Sequence, residues 1–275
     1  MNSTPEVYDS AKRRNPLVEE ALVLIKYRDL LYQFVTTSIK TRYKRSALGV
    51  VWTLLNPLLT MLILTLVFSQ VFRITLENYP VYVLSGLVIW NFFSATTSQA
   101  MMGMAMGGSL LQRIYVPKSV FAVSAIGVGL VNLGLSVIPL FLIAIFQRTP
   151  ITPAILVMPF AVLLLILFSM GIGLILETAA VYFADLLPFY EVLLMLWMYC
   201  TPIIYPLDII KPPELQSLFK LNPMYYFVSL FRTPLYTGEI PPANEWLIAG
   251  AFALIAFTLG TLIFTAKSNE YAYRT

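Results

Sequence analysis

The stretch Lys40–Phe68, "KTRYKRSALGVVWTLLNPLLTMLILTLVF", sets four cations within six residues against a run that carries no charge from Ser46 to Phe72. Charge stacked on apolar sequence in this way is the pattern of a chain entering a bilayer. About 30 Å of hydrocarbon takes roughly 20 apolar residues as a helix, because a helix rises about 1.5 Å per residue and satisfies its own backbone there. Further uncharged runs cover Asn78–Gln112, Ser119–Gln147, Thr149–Leu176 and Trp246–Ala266, with a shorter one at Val192–Leu207. They predict an all-α integral membrane protein with six transmembrane helices, at about 50–72, 80–102, 119–146, 152–178, 189–205 and 245–266.

The composition agrees. Hydrophobic residues make up 59% of the 275 and charged residues 12%, against about 25% charged in a soluble domain, and the mean hydropathy is +0.78. The first apolar run lies behind a long charged leader, which is not the position of a cleaved signal peptide. The single cysteine, Cys200, lies among apolar neighbours and is expected to be a buried thiol acting as a small hydrophobe.

Orientation follows from the cations. The leader, the segment after the second run and the C-terminal tail together hold 13 Lys and Arg, and the other side holds 5: Arg73, Arg148, Lys211, Lys220 and Arg232. Cations are retained on the cytoplasmic face, so both termini are expected inside a multi-pass protein of the cytoplasmic membrane. The chain then divides into a flexible leader (1–20), an amphipathic interface helix (21–45), a transmembrane domain (46–266) and a cytoplasmic tail (267–275). In the interface helix Leu22, Ile25, Leu30, Leu31, Phe34, Val35 and Ile39 interleave with polar residues. Its apolar face would lie in the acyl boundary, with Lys40, Arg42, Lys44 and Arg45 on lipid headgroups. A plain topology signal is the alternative, though it leaves the upstream apolar residues without a use. Membrane lipids, and no nucleic acid, are the partners this charge pattern implies.

Pro206–Asn244, on the expected outer side, is broken by seven prolines yet is not hydrophilic. Met224, Phe227, Val228 and Phe231 fall at i, i+3, i+4 and i+7, which predicts a short helix beginning after Asn222 with Pro223 at its first position. Such a helix is too short to cross. It is either a re-entrant lid over a pathway or a cap on the bundle.

"RYKRSALGVVWTLLNPLL" (42–59) resembles the segment entering the first span of the ABC-2 type permeases that export polysaccharides, which include the membrane subunits of O-antigen and teichoic acid transporters. "SLLQRIYVPKSVFAVSA" (109–125) is similar to that family's stretch between spans two and three, and "TPIIYP" (201–206) with "LNPMYYFVSLFR" (221–232) is similar to its span-five exit and outer gate segment. The resemblance runs in order from about residue 22 through most of the chain. It implies a permease subunit, not an enzyme, that works as a homodimer with two copies of an ABC ATPase. ATP and magnesium would be held by that partner, with no cofactor in this chain. In agreement, there is no G-x-x-x-x-G-K-[ST] phosphate loop in the sequence.

The resemblance also assigns roles. Gly107–Lys118 would be a coupling helix seated on the ATPase, with Leu110, Leu111, Ile114 and Tyr115 as an apolar ridge and Arg113 and Lys118 as its rim. Residues 206–240 would form the outer gate. Spans one and five would line the channel for a lipid-linked polysaccharide. That suggests Trp52, Tyr199 and Tyr205, with Trp90 and Trp197 as further candidates, because sugar C–H faces stack on aromatic rings. Tryptophans also collect at membrane surfaces whatever the function. Gly127, Gly129, Gly134, Gly171 and Gly173 suit close helix packing. One departure is "VYFADLLP", where Ala184 precedes Asp185 in place of the family's Arg-Asp pair; Asp185 could still cap the next helix. Glu177, near the inner end of the fourth span, is either a proton relay or, more in keeping with its position, a snorkelling or helix-end group.

Two other classes stay open. A membrane transferase acting on a lipid-linked glycan needs a base, nucleophile or metal site, and the chain has no histidine and no clustered acids within a span. A secondary transporter would carry ion-coupling acids or broken helices in repeated halves.

Overall fold

A computed structural model describes residues 25–44, 46, 48–68, 76–111, 119–183 and 185–267, with the side chains of 43 and 105–111 left aside. These residues form nine α-helices, and no strand occurs among them. They are α1 (Arg28–Tyr43), α2 (Val51–Leu66), α3 (Tyr79–Leu111), α4 (Val120–Phe146), α5 (Met158–Tyr182), α6 (Leu186–Tyr199), α7 (Pro213–Lys220), α8 (Pro223–Tyr236) and α9 (Ala243–Lys267).

Among the described residues four segments are long and apolar enough to cross a membrane: Tyr79–Met104 within α3, Val120–Phe146, Pro153–Tyr182 and Ala243–Lys267. The first and fifth expected spans are shorter. α2 holds 16 residues and α6 holds 14, and at about 1.5 Å per residue neither reaches roughly 30 Å. α6 stops where Thr201-Pro202 begins a chain of turns; an uncharged run registers no such break.

α3 is the centre of the bundle, packed against α2, α4, α5, α6 and α8. The helices α4, α5 and α9 turn large apolar side chains outward, among them Leu142, Phe146, Phe160, Leu163, Leu254 and Leu262. A face like that belongs in lipid rather than water. The main core runs through Phe93, Phe168 and Phe227, with Phe93 and Phe168 stacked at 5.6 Å and Phe168 and Phe227 tilted at 4.9 Å. A smaller core at the far end of α3 joins Ala100, Met104, Phe121, Leu174 and Phe264.

α1 spends its apolar side on this smaller core. Leu30, Leu31 and Phe34 pack against it, Phe34 meets Phe121 edge-on at 5.9 Å, and Val35 fills the space over Gly127. The expected acyl contact of these residues is thus replaced by protein contact, while Ile25 is exposed. Lys40, Arg42 and Lys44 remain exposed; Arg45 lies outside the described residues.

α8 begins as its periodicity predicts. Asn222 is the N-cap, its Oδ1 accepting from the Met224 N–H at 3.0 Å, with Pro223 at the first position. Met224, Phe227, Val228 and Phe231 are all buried. Asn222 also ties the end of α6 to this cap. The indole N–H of Trp197 donates to its Oδ1 at 2.7 Å, and its Nδ2 donates to the carbonyl of Cys200 at 2.9 Å and to Thr201 Oγ1 at 2.8 Å. Cys200 itself corrects an expectation: its side chain is exposed. It stands one residue past the end of α6, and the buried side of that turn is taken by Thr201, Pro202 and Ile203.

Candidate functional site

Asn56 on α2, Asn91 on α3 and Asn132 on α4 sit in uncharged runs, where a carboxamide is costly unless something pairs with it. The fold brings all three to one groove of about 440 Å³ between these helices. Ser94, Ser136 and Thr53 add hydroxyls, Trp52 and Phe92 add rings, and Arg42 and Ser46 stand at its edge. Two hydroxyls are spent on their own helices: Ser136 donates to the Asn132 carbonyl at 2.8 Å and Ser94 to that of Asn91 at 3.4 Å. No hydrogen bond of the described residues uses any of the three carboxamides. Pro57 is buried beside Asn56 inside α2 and cannot donate to the helical ladder. At Gly129, α4 comes so close to α3 that a Cβ would run into Thr96 and Phe92, which sets the width of the groove.

Chemically, this is a wall that offers both donors and acceptors, with rings and one cation among its lining residues. Each carboxamide offers two donors and an acceptor, the complement of a sugar hydroxyl. The volume falls within the roughly 300–1,000 Å³ of ligand sites.

Of the five aromatic candidates, only Trp52 is in this groove, about half exposed. Trp90 is buried in the core, edge-on to Trp197 at 6.3 Å, and Trp197 is edge-on to Phe93 at 5.1 Å. Tyr199 is exposed, and its carbonyl accepts the hydroxyl of Tyr205, whose ring meets Phe219.

A second polar centre lies at the opposite end of α3 from the small core. The guanidinium of Arg232 on α8 is buried, 3.7 Å over the ring of Tyr82. Its Nη1 donates to the Pro202 carbonyl at 2.9 Å and its Nη2 to the Ile203 carbonyl at 3.2 Å; Nε reaches Ser85 Oγ at 3.4 Å. Tyr79 and Tyr82 donate to the carbonyls of Ile204 and Tyr205 in the same turn, at 2.7 and 3.1 Å. Burial pulls the Arg232 guanidinium below its usual value, with Tyr82 acting against it. Counting cations by side had treated this residue as an ordinary outer charge; it is a buried tie.

Glu177 is fully buried on α5, so it does not snorkel. Asp185 occupies the N-cap position of α6 but its side chain makes no capping hydrogen bond. Of the coupling candidates, Leu110 and Leu111 end α3 with their side chains outside the described set, and Arg113, Ile114, Tyr115 and Lys118 lie outside the described residues. The three asparagines were missed by sequence reasoning. Their signal is local, an amide in the apolar stretches "LLNPLL", "VIWNFFS" and "LVNLGLS", but nothing local distinguishes such an amide from a packing residue.

Over 252 residues the chain is 31% identical to the O-antigen export system permease protein RfbA of Myxococcus xanthus, covering 90% of this chain and 96% of that one. It is 28% identical over 247 residues to an O-antigen export system permease protein RfbA of Klebsiella pneumoniae, covering 89% and 94%. The polysialic acid transport protein KpsM of Escherichia coli is 24% identical over 238 residues, covering 84% and 90%. Residues 30–236, from α1 to the last residue of α8, match the ABC-2 type transporter family, and the chain belongs to that family.

Proposed function

We propose that this chain is the membrane-spanning permease subunit of an ABC exporter, moving a lipid-linked polysaccharide across the bacterial cytoplasmic membrane. Two copies enclose the path, and two copies of a partner ATPase bind ATP with magnesium and drive it. α2 and α6 complete six crossings, with both termini on the cytoplasmic side. α8 and its flanking turns act as the outer gate. The observation that carries this reading is the groove: three carboxamides left without protein partners, on three apolar helices, in a chain similar to O-antigen export permeases and a polysialic acid transport protein. Such groups suit a polyhydroxylated cargo that must slide, because each contact is modest and replaceable by the next sugar.

The test is complementation of a strain lacking the chain, scoring glycan at the surface against lipid-linked glycan retained inside. Asn91→Leu combined with Asn132→Leu should cut surface glycan about tenfold or more while leaving ATPase association intact. Undiminished export would remove the groove from the path. Export that continues with a hydrolysis-dead ATPase would instead favour a gradient-driven carrier.

Coupling has its own check. Leu111→Asp with Tyr115→Asp should abolish co-purification of the ATPase, since charge is depleted from interface cores. Retained association would move the docking surface elsewhere.

A further inference from the structure

A second cavity, of about 240 Å³, opens beside the buried arginine, between the start of α3, the turns after α6 and one face of α8. Its floor is Arg232 over Tyr82, and its walls include Tyr225, Tyr236, Thr233 and Asp208. Most of the polar groups nearby are spent: Tyr236 donates to the Glu77 carbonyl at 2.6 Å, and Tyr82 to the turn below. Three are not. No hydrogen bond or ion pair of the described residues engages the Asp208 carboxylate, the Tyr225 hydroxyl or the Thr233 hydroxyl. Asp208 is exposed, while Tyr225 and Thr233 are half-buried.

We infer that this cavity is a binding site for one neutral sugar ring, separate from the groove among α2, α3 and α4. A carboxylate that accepts two vicinal hydroxyls, with aromatic walls for the C–H face and a hydroxyl on each side, is a recognition set for a pyranose. The size limits the ligand to a single unit, because the volume is below the roughly 300 Å³ at which larger ligands are accommodated. The Asp208 carboxylate and the Arg232 guanidinium together set the charge of the ligand. Arg232 lines the same cavity, so the two charges offset each other and suit a neutral ring better than a uronate or phosphate, and three of the arginine's N–H donors are already given to Ser85 and the carbonyls of Pro202 and Ile203. Seated under α8, the ring of an emerging chain would be held where Val228 and Ser229 of that helix line the same space. The site depends on the exporter reading only for the source of its sugar; its chemistry stands by itself.

The experiment uses the full chain in nanodiscs and a set of methyl glycosides (glucoside, galactoside, mannoside, rhamnoside), with sodium glucuronate and inorganic phosphate as anionic counterparts, read by saturation-transfer NMR titration. At least one methyl glycoside should bind. Asp208→Asn and Tyr225→Phe should each weaken it about tenfold, as one lost hydrogen bond to a charged or buried group predicts, while Gly134→Ala, where a Cβ meets nothing within 4 Å, leaves it unchanged. Binding lost only in the asparagine variant, tighter binding of glucuronate or phosphate, or no glycoside signal at all would overturn the site. Loss of export in the asparagine variant, together with a remaining glycoside signal that falls when Asp208→Asn is added, supports both readings. Normal export in that variant would remove the groove reading and spare this one.

Discussion

Replacing Gly171 with alanine should destabilise the protein by about 3 kcal/mol or more, although it adds a single methyl group. The most extensive helix contact among the described residues joins α5 to α9. α9 presents Ala249, Ala253, Ala256 and Gly260 to it, all buried, so that the two backbones touch without side chains between them. A Cβ at 171 would run into the backbone of Ala256 and Phe257, and a Cβ at 260 into the backbone of Gly171. Neither obstacle is a side chain that can rotate away. The helices must separate, and each buried pair along the seam loses its fit. Gly134→Ala is the built-in control: a Cβ there meets nothing within 4 Å, and alanine in a helix is favoured over glycine by roughly 0.5–1 kcal/mol. Thermal denaturation in detergent should therefore lower the midpoint for Gly171→Ala and Gly260→Ala, and hold or raise it for Gly134→Ala. Equal midpoints for all three would mean that the seam is not under this constraint.

The same comparison shows what the sequence could convey. All five spacer glycines look alike in a string of apolar residues, yet Gly127, Gly129, Gly171 and Gly173 each meet a neighbouring helix and Gly134 meets open space. Which glycine matters is a property of the partner helix. α8 was legible down to its cap because every determinant is local: the Asn-Pro start and an i, i+3, i+4, i+7 stripe. The lengths of α2 and α6 were not, since absence of charge extends past the point where Pro202 and its turns end the helix. The groove was illegible for another reason. Asn56, Asn91 and Asn132 are 35 and 41 residues apart in sequence, and only the packing of α2, α3 and α4 gives them a common wall. Charge counting by side failed at Arg232, because it assumes that a cation outside the spans faces water.

That arginine supports the second large effect. Arg232→Met should cost about 2–4 kcal/mol and loosen the turn that follows α6. The guanidinium bridges three elements: α8 carries it, α3 supplies Ser85 and the Tyr82 ring, and the turn supplies the carbonyls of Pro202 and Ile203. Removing it takes away a buried charge, which by itself is a gain. Against that stand the Ile203 carbonyl, left without its donor at roughly 1–3 kcal/mol, and the lost contact with Tyr82 at up to about 2 kcal/mol. Pro202 suffers less, because the Tyr82 hydroxyl also reaches its carbonyl, at 3.3 Å. Lysine should not rescue the variant, since a single ammonium cannot reproduce a planar fork spanning two carbonyls and a ring face. Gly86 offers an independent handle. A Cβ there would collide with Nη2 of Arg232 and press on Ile203, so Gly86→Ala should displace the guanidinium without deleting it. If the tie is real, the two substitutions act on one interaction, and the double variant loses markedly less than the sum of the singles. Strictly additive losses in the thermal midpoint would show that Gly86 and Arg232 stabilise the bundle separately, and that α8 is held by its apolar face alone.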